Sequence, residues 1–509
     1  MPTYLSPGVY VEELESGSRP IEGVGTAVAA FVGLAEQGPF HAPTLVTNWS
    51  QFTQTFGDFV EGAFLAHSVY AYFQNGGGAA YVVRIGDEGS EEVPARAELT
   101  SGGEQSVGAY RIQALNAGAA GNEITVEIAD SAQPTGEEDF KLVVRLNGTV
   151  SETFDPVSPK RGRTNVVTVV NAQSEFIRIE EATRTAVESV ARGTITLDGG
   201  GNTAPTSLNP GSYVGDPAAR KGVGGLESID EVTMVSVPDL MSAYQRGLID
   251  LEGVKAVQLA MISHCELMGD RMAILDPPPG LNAQEIKEWR VETAGYDSKY
   301  ATLYWPWVKS FDPATGTNIF VPPSGHMAGI WGRNDDTRGV HKAPANEVVR
   351  GAIDLEINIT KTEHDLLNPE GINVIRAFPG RGIRVWGART LSSDPAWRYI
   401  NVRRLFNYLE ESILGGTQWV VFEPNDRNLW AKIRRTIAAF LVNEWRKGAL
   451  FGSKPGEAFY VKCDDETNPA EGIDAGQVIC EIGLAPVKPA EFVIFRLSQF
   501  SGGTSLVAE

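Results

Sequence analysis

Val232-Thr233-Met234-Val235-Ser236-Val237, the helical spacing from Leu240 to Met268, and Arg271-Met272-Ala273-Ile274-Leu275 decide the fold class. The outer pieces are short and apolar with β-branched residues, as strands are, and the middle piece carries its apolar residues at helical intervals. Downstream, a helix capped by Asn282 leads to a strand over Ala301 to Trp305. Upstream, Thr26 to Ala35 reads as a buried strand, and Asn48 is placed to cap a short helix ending at Gly57. Phe64 to Gln74 has helical spacing that stops at Gly76-Gly77-Gly78, and Ala80 to Ile85 is rich in Val and Tyr. Further on, Arg398 to Leu414 reads as a helix ended by Gly415-Gly416, and Trp419 to Phe422 as a strand. Asp426 to about Lys447 reads as a long helix with Gly448 to stop it. Alternation of this kind predicts a wound α/β sheet with helices on its faces.

Between about Asp87 and Asp216 helical periodicity fades, and short alternating runs rich in Gly, Thr, Val and Glu replace it. Lys141 to Leu146, Asn147-Gly148 and Thr149 to Phe154 read as a hairpin, because Asn-Gly supplies the positive φ angles of a tight turn. A mostly β domain inserted into the α/β unit is expected, with acidic clusters such as Glu91-Glu92 and Glu137-Glu138-Asp139 as solvated surface. The predicted organisation is an N-terminal arm and linker (1–25), a first part of the core (26–86), the insertion (87–216), the rest of the core (217–484) and a C-terminal arm (485–509). Each arm carries a β-prone run on a linker, Val9-Tyr10-Val11-Glu12 at one end and Phe492-Val493-Ile494-Phe495 at the other. A tethered strand cannot satisfy its own backbone, so it pairs with a sheet edge, either its own or a neighbour's. Spacing alone leaves the two equally open.

The 509 residues include 43 Lys and Arg against 64 Asp and Glu, and the resulting net charge of −21 argues against nucleic-acid binding. The 55 Gly and 29 Pro follow no period, which excludes collagen, and a 42% hydrophobic content allows real cores. Cys265, Cys463 and Cys480 form no CxxC pair and signal neither a disulfide framework nor a zinc site. The opening lacks the basic and apolar regions of a signal peptide, and Val24 to Ala35 is too short to span a bilayer, so export by a signal peptide and membrane insertion are not expected. Gly23-Val24-Gly25 lacks a third glycine, Gly448 to Lys454 has the wrong spacing for a phosphate loop, and neither GxSxG nor HExxH occurs. His264 has Met268 where a helical metal partner would stand. Asp239 and Asp276 follow strands, where open α/β sheets bind ligands, but each adjoins proline, which favours a capping or turn role. No cofactor or metal is expected. The helix from Asp426 places Leu429, Ile433, Ile437, Phe440 and Leu441 on one face and Lys432, Arg435 and Arg446 on the other, either as solvated surface or as a contact for an acidic partner.

Tyr4-Leu5-Ser6-Pro7-Gly8-Val9-Tyr10-Val11-Glu12-Glu13, Val28 to Gly33 and Gly76 to Ile85 resemble the contractile tail sheath family of phages and phage-tail-like injection particles. So do Tyr304-Trp305-Pro306-Trp307, Val321-Pro322-Pro323-Ser324-Gly325, Gly387-Ala388-Arg389-Thr390-Leu391, and Ala458-Phe459-Tyr460-Val461 followed by Cys463. The resemblance covers residues 1–85 and about 230–500 and leaves the insertion unmatched. It implies a non-enzymatic helical polymer of six-fold rings around an inner tube, with baseplate and sheath-terminating cap proteins as partners. It further implies that both arms complete a sheet in neighbouring subunits, that the C-terminal half faces the tube, and that the insertion lies outermost; with that orientation, the basic stripe Lys432, Arg435 and Arg446 is expected to meet an acidic tube surface. Contraction would release energy stored at assembly and drive the tube through a target envelope. Assembly in the cytoplasm is the matching expectation, as part of a phage tail or of a phage-like particle that is released or anchored to the envelope. The readings from other classes are an α/β enzyme using Asp239 or Asp276 and an adhesin built on the acidic insertion.

Overall fold

The structure, a computed structural model, describes residues 20–60, 62–86, 94–100, 108–115, 119–182, 189–200, 208–313 and 315–496. Its centre is an eight-stranded sheet in the order Gly382–Val385, Ile372–Phe378, Ala301–Trp305, Met272–Leu275, Met234–Ser236, Val28–Gly33, Ala79–Arg84 and Thr44–Val46. The six inner strands are parallel, and an antiparallel strand closes each edge. Parallel strands need crossovers, which bury both faces of the sheet. Ala29 to Val32, Met234 to Ser236 and Ala301 to Trp305 are accordingly buried. The α/β expectation therefore holds, and the helices Trp49–Phe56, Leu65–Asn75 and Ala283–Glu288 begin or end at the expected Asn48, Gly76 and Asn282.

The helical stretch from Leu240 is two helices, Asp239–Gln245 and Leu251–Met268. Gly247 adopts a positive φ of 69° between them, and Asp250 caps the second through the amide of Gly253. The expected strand over Trp419 to Phe422 is instead a 3-10 turn, Gln418–Val420, followed by Phe422 at a φ of 68°. With Gly415-Gly416 before it and Pro424 after it, this run ends one helix and leads into the next, and it pairs with no strand among the described residues.

Residues from Ala95 to Leu197 form a second hydrophobic core between a four-stranded and a three-stranded antiparallel sheet, with Val166 and Val170 of the helix Val166–Gln173 packed into it. Phe140–Leu146 and Thr149–Val157 form the expected hairpin, and Asn147 and Gly148 take φ angles of 51° and 76°. Asp139 departs from the surface reading. It is buried and accepts hydrogen bonds from the amides of Thr135 and Gly136 and from the Thr135 hydroxyl, closing the turn before its strand.

A third core, separate from the central one, joins the helices Ile400–Gly416 and Arg427–Arg446 to a two-stranded antiparallel ribbon, Phe459–Lys462 with Glu481–Leu484. Ile21 inserts into it, the Val24 amide donates to Ser412 Oγ at 3.2 Å, and a Cβ on Gly23 would collide with the Tyr408 ring. The described part of the expected N-terminal linker is therefore docked on the chain rather than free.

Candidate functional site

Asp239 lies where the strand order changes direction, beside the C-terminal ends of Val28–Gly33 and Met234–Ser236. This is the position at which open α/β sheets hold ligands. Its buried carboxylate is instead occupied by the protein itself, accepting hydrogen bonds from the amides of Leu34, at 2.6 Å, and Phe64. Burial pushes its pKa up to about 6 against the pull of those donors. A side chain at Gly33 would collide with this carboxylate, so the close approach depends on glycine there. Asp276 is equally buried and ties the end of its strand to the start of the helix Ser324–Arg338, accepting from the Ser324 amide at 2.9 Å and hydroxyl at 2.5 Å. Burial raises its pKa to about 7. Both aspartates thus act as internal staples. His264 is buried against Arg271, whose Nη1 lies 3.3 Å from its Nε2, and desolvation with that positive charge lowers its pKa to about 4.

The strongest surface features lie on the third core and the segments rooted on it. Asp426 caps the long helix through the Leu429 amide at 2.8 Å, and Leu429, Ile433, Ile437, Phe440 and Leu441 are buried as their spacing requires. Arg427 pairs with Asp465, Lys447 with Glu444, and Arg434 donates to the Cys463 carbonyl. Lys432, Arg435 and Arg446 are exposed and form no ion pair among the described residues. Arg435 and Arg446 are three helical turns apart and share a face with Lys432.

After the ribbon, the chain runs as a strap. The Phe451 amide donates to the Ala485 carbonyl at 2.7 Å, and Asn401 Nδ2 donates to the Val487 carbonyl at 3.1 Å. Glu491 is then held by Arg389, Asn368 and Tyr399. Beyond it Phe492, Val493, Ile494 and Phe495 are 73%, 68%, 78% and 84% exposed and belong to no regular element. Four consecutive exposed large apolar residues form a patch that calls for a partner. The expected N-terminal strand, Val9, Tyr10, Val11 and Glu12, lies outside the described residues. Sequence reasoning missed the cradle around Glu491 and the placement of Cys463 and Cys480, both free, beside the paired residues Lys462 and Glu481 at the end of the ribbon. Neither has a local sequence signal, because the partners are far apart in the chain.

Residues 226–391 match the phage tail sheath protein central domain, and residues 392–500 match the phage tail sheath C-terminal domain. The tail sheath protein of Vibrio phage KVP40 is 25% identical over 386 residues, spanning 71% of this chain and 55% of that protein. The chain therefore spans about half the length of that relative. Among solved structures, a chain of the anti-feeding prophage helical sheath in its contracted state matches with a TM-score of 0.61 and 24% identity, over 98% of this chain and 100% of that one. A chain of the six-fold symmetrised anti-feeding prophage baseplate matches with a TM-score of 0.60 and 24% identity, over 98% and 100%. At these identities the structural likeness speaks to the fold.

Proposed function

The chain belongs to the phage tail sheath family, a family of structural proteins and not of enzymes, and from that premise we propose that it is the repeating subunit of a contractile sheath. Copies of it stack as six-fold rings around an inner tube, on a baseplate and below a terminating cap. Contraction passes the lattice from a metastable extended form to a shorter and more stable one, which drives the tube through a target envelope. A population shift of this kind needs only interfaces that differ in free energy between two lattices, summed over many subunits. Such a subunit assembles in the cytoplasm and ends in a phage tail or a phage-like particle.

One observation carries the reading, namely the exposed run Phe492 to Phe495 on a strap anchored at its root. In the isolated chain these side chains face water, and donation to a neighbour's sheet edge covers them while satisfying their backbone. The ribbon Phe459–Lys462 with Glu481–Leu484 suits the role of acceptor. It is a two-stranded sheet with both outer edges unpaired among the described residues, and a pair of strands is marginal by itself. The N-terminal run Val9 to Glu12 is assigned the same role at another neighbour. Lys432, Arg435 and Arg446 are assigned to the acidic surface of the tube, and the core built on residues 94–200 to the outside of the sheath. Deletion of residues 1–18 tests the scheme: it is expected to leave a folded monomer that does not polymerise, and normal polymers from that variant would refute arm donation.

A further inference from the structure

The root of the C-terminal arm is held by an unusually complete set of donors. Glu491 Oε1 accepts from Arg389 Nε at 2.9 Å and from Asn368 Nδ2 at 2.8 Å, and Oε2 accepts from Arg389 Nη2 at 2.6 Å and from Tyr399 OH at 3.0 Å. Two bonds per oxygen fill the acceptor capacity of a carboxylate, and two of the four form the bidentate fork of a guanidinium. Burial alone would push this carboxyl up, but the Arg389, Asn368 and Tyr399 donors outweigh it and hold it below the usual carboxylate range.

The position of the cradle is as informative as its completeness. Residues 485–487 of the strap bond to residues 449–451 of the third core, at Phe451 to Ala485 and Val487 to Ala449. Asn368 and Arg389, by contrast, flank the central-sheet strands Ile372–Phe378 and Gly382–Val385, and Tyr399 precedes the helix Ile400–Gly416. The strap therefore leaves the third core and is pinned to the central body one residue before the exposed run begins. Side-chain exposure rises from 19% at Glu491 to 73% for Phe492 as a whole residue, so the anchored and exposed portions meet at a single peptide bond.

We infer that Arg389, Asn368 and Tyr399 are positioning residues for polymerisation, which clamp Glu491 so that Phe492 to Phe495 leaves the central body at a fixed point and in a fixed direction. The inference rests on the arm-donation reading above. A strand anchored at its root loses less conformational freedom on pairing with a neighbour than one swinging from Pro489 or earlier, so the clamp raises the effective concentration of the arm at its acceptor. Releasing it leaves the contacts of the assembled lattice in place and makes them harder to reach.

Two readouts in the full-length chain test the clamp. Glu491→Gln removes the charge while keeping the shape, and the critical concentration for polymerisation is expected to rise at least about tenfold, with the melting temperature of the monomer unchanged. Arg389→Gln and Asn368→Ala keep Glu491 as a cleavage site for a glutamate-specific protease. Release of the fragment 492–509, read by mass spectrometry, is expected to accelerate about tenfold or more in the first and by a smaller factor in the second. Wild-type assembly by Glu491→Gln, or unaltered release in both cradle variants, would overturn the clamp. If Glu491→Gln lowers the melting temperature, the milder Asn368→Ala decides: assembly at the wild-type concentration despite faster release overturns the inference, and impaired assembly supports it. Truncation after Glu491 separates this proposal from its premise. If the truncated chain polymerises normally, C-terminal donation is wrong; if truncation blocks polymerisation while the cradle variants assemble normally, only the clamp is wrong.

Discussion

If Phe492 to Phe495 joins a neighbour as a strand, its side chains alternate between two faces, Phe492 with Ile494 on one and Val493 with Phe495 on the other. All four are more than two thirds exposed in the single chain, so serine at any of them removes little from the folded monomer. Burying a large apolar side chain is worth roughly 1.5–3 kcal/mol. The pair facing the acceptor's core therefore contributes about 2.3–4.5 kcal/mol per link, allowing for roughly the quarter of each already covered. The outward pair contributes little beyond strand propensity, under about 1 kcal/mol. The double variant of the inward pair, Phe492→Ser with Ile494→Ser or Val493→Ser with Phe495→Ser, is expected to raise the critical concentration by about two to three orders of magnitude, and the other by less than about tenfold. Sedimentation of polymer from monomer at graded concentrations measures both. Equal effects of the two doubles would refute pairing as a strand packed on one face, and no effect of either would refute a role for the segment in assembly.

Reversing the basic stripe by Lys432→Glu, Arg435→Glu and Arg446→Glu should prevent assembly on isolated inner tubes, and wild-type assembly there should weaken as salt rises; unaffected assembly on tubes would reject that contact. Asp276→Asn isolates the buried carboxylate in urea denaturation across pH. Its folded pKa, about 7, lies above the unfolded value, so the folded chain binds more protons between about pH 4 and 7 and this group's stabilising contribution is lost as pH rises through that window. Relative to wild type, Asp276→Asn should therefore gain about 1–3 kcal/mol between pH 4.5 and 8, and a difference independent of pH would show that Asp276 is not raised by burial. Replacing residues 95–198 by a short Gly-Ser linker should leave polymers with an unchanged axial repeat and a smaller outer diameter; loss of polymerisation by a folded variant would show that this unit takes part in the lattice.

Much of the central sheet is legible because its information is local. Ala29 to Val32, Met234 to Ser236 and Met272 to Leu275 are short apolar runs between turn residues, and Asp426 and Gly448 bracket the long helix on their own chemistry. Asn147-Gly148 fixes a hairpin for the same reason. Trp419 to Phe422 misleads because its aromatic and β-branched residues suit a strand, but whether a strand forms depends on an edge to pair with, which propensity does not report. The break at Gly247 is invisible to a periodicity that continues in phase on both sides. Asp239 and Asp276 are found by position but not by role: that their oxygens meet Leu34, Phe64 and Ser324 follows from the packing of elements far apart in sequence. The Glu491 cradle is the extreme case, since residues 368, 389 and 399 precede their acceptor by 123, 102 and 92 positions.

The most direct measurement is electron microscopy of the purified full-length chain, concentrated without any partner. A contractile sheath subunit is expected to form striated hollow tubes built from six-fold rings. A preparation that remains folded and monomeric at every concentration, with the arms intact, would contradict that role.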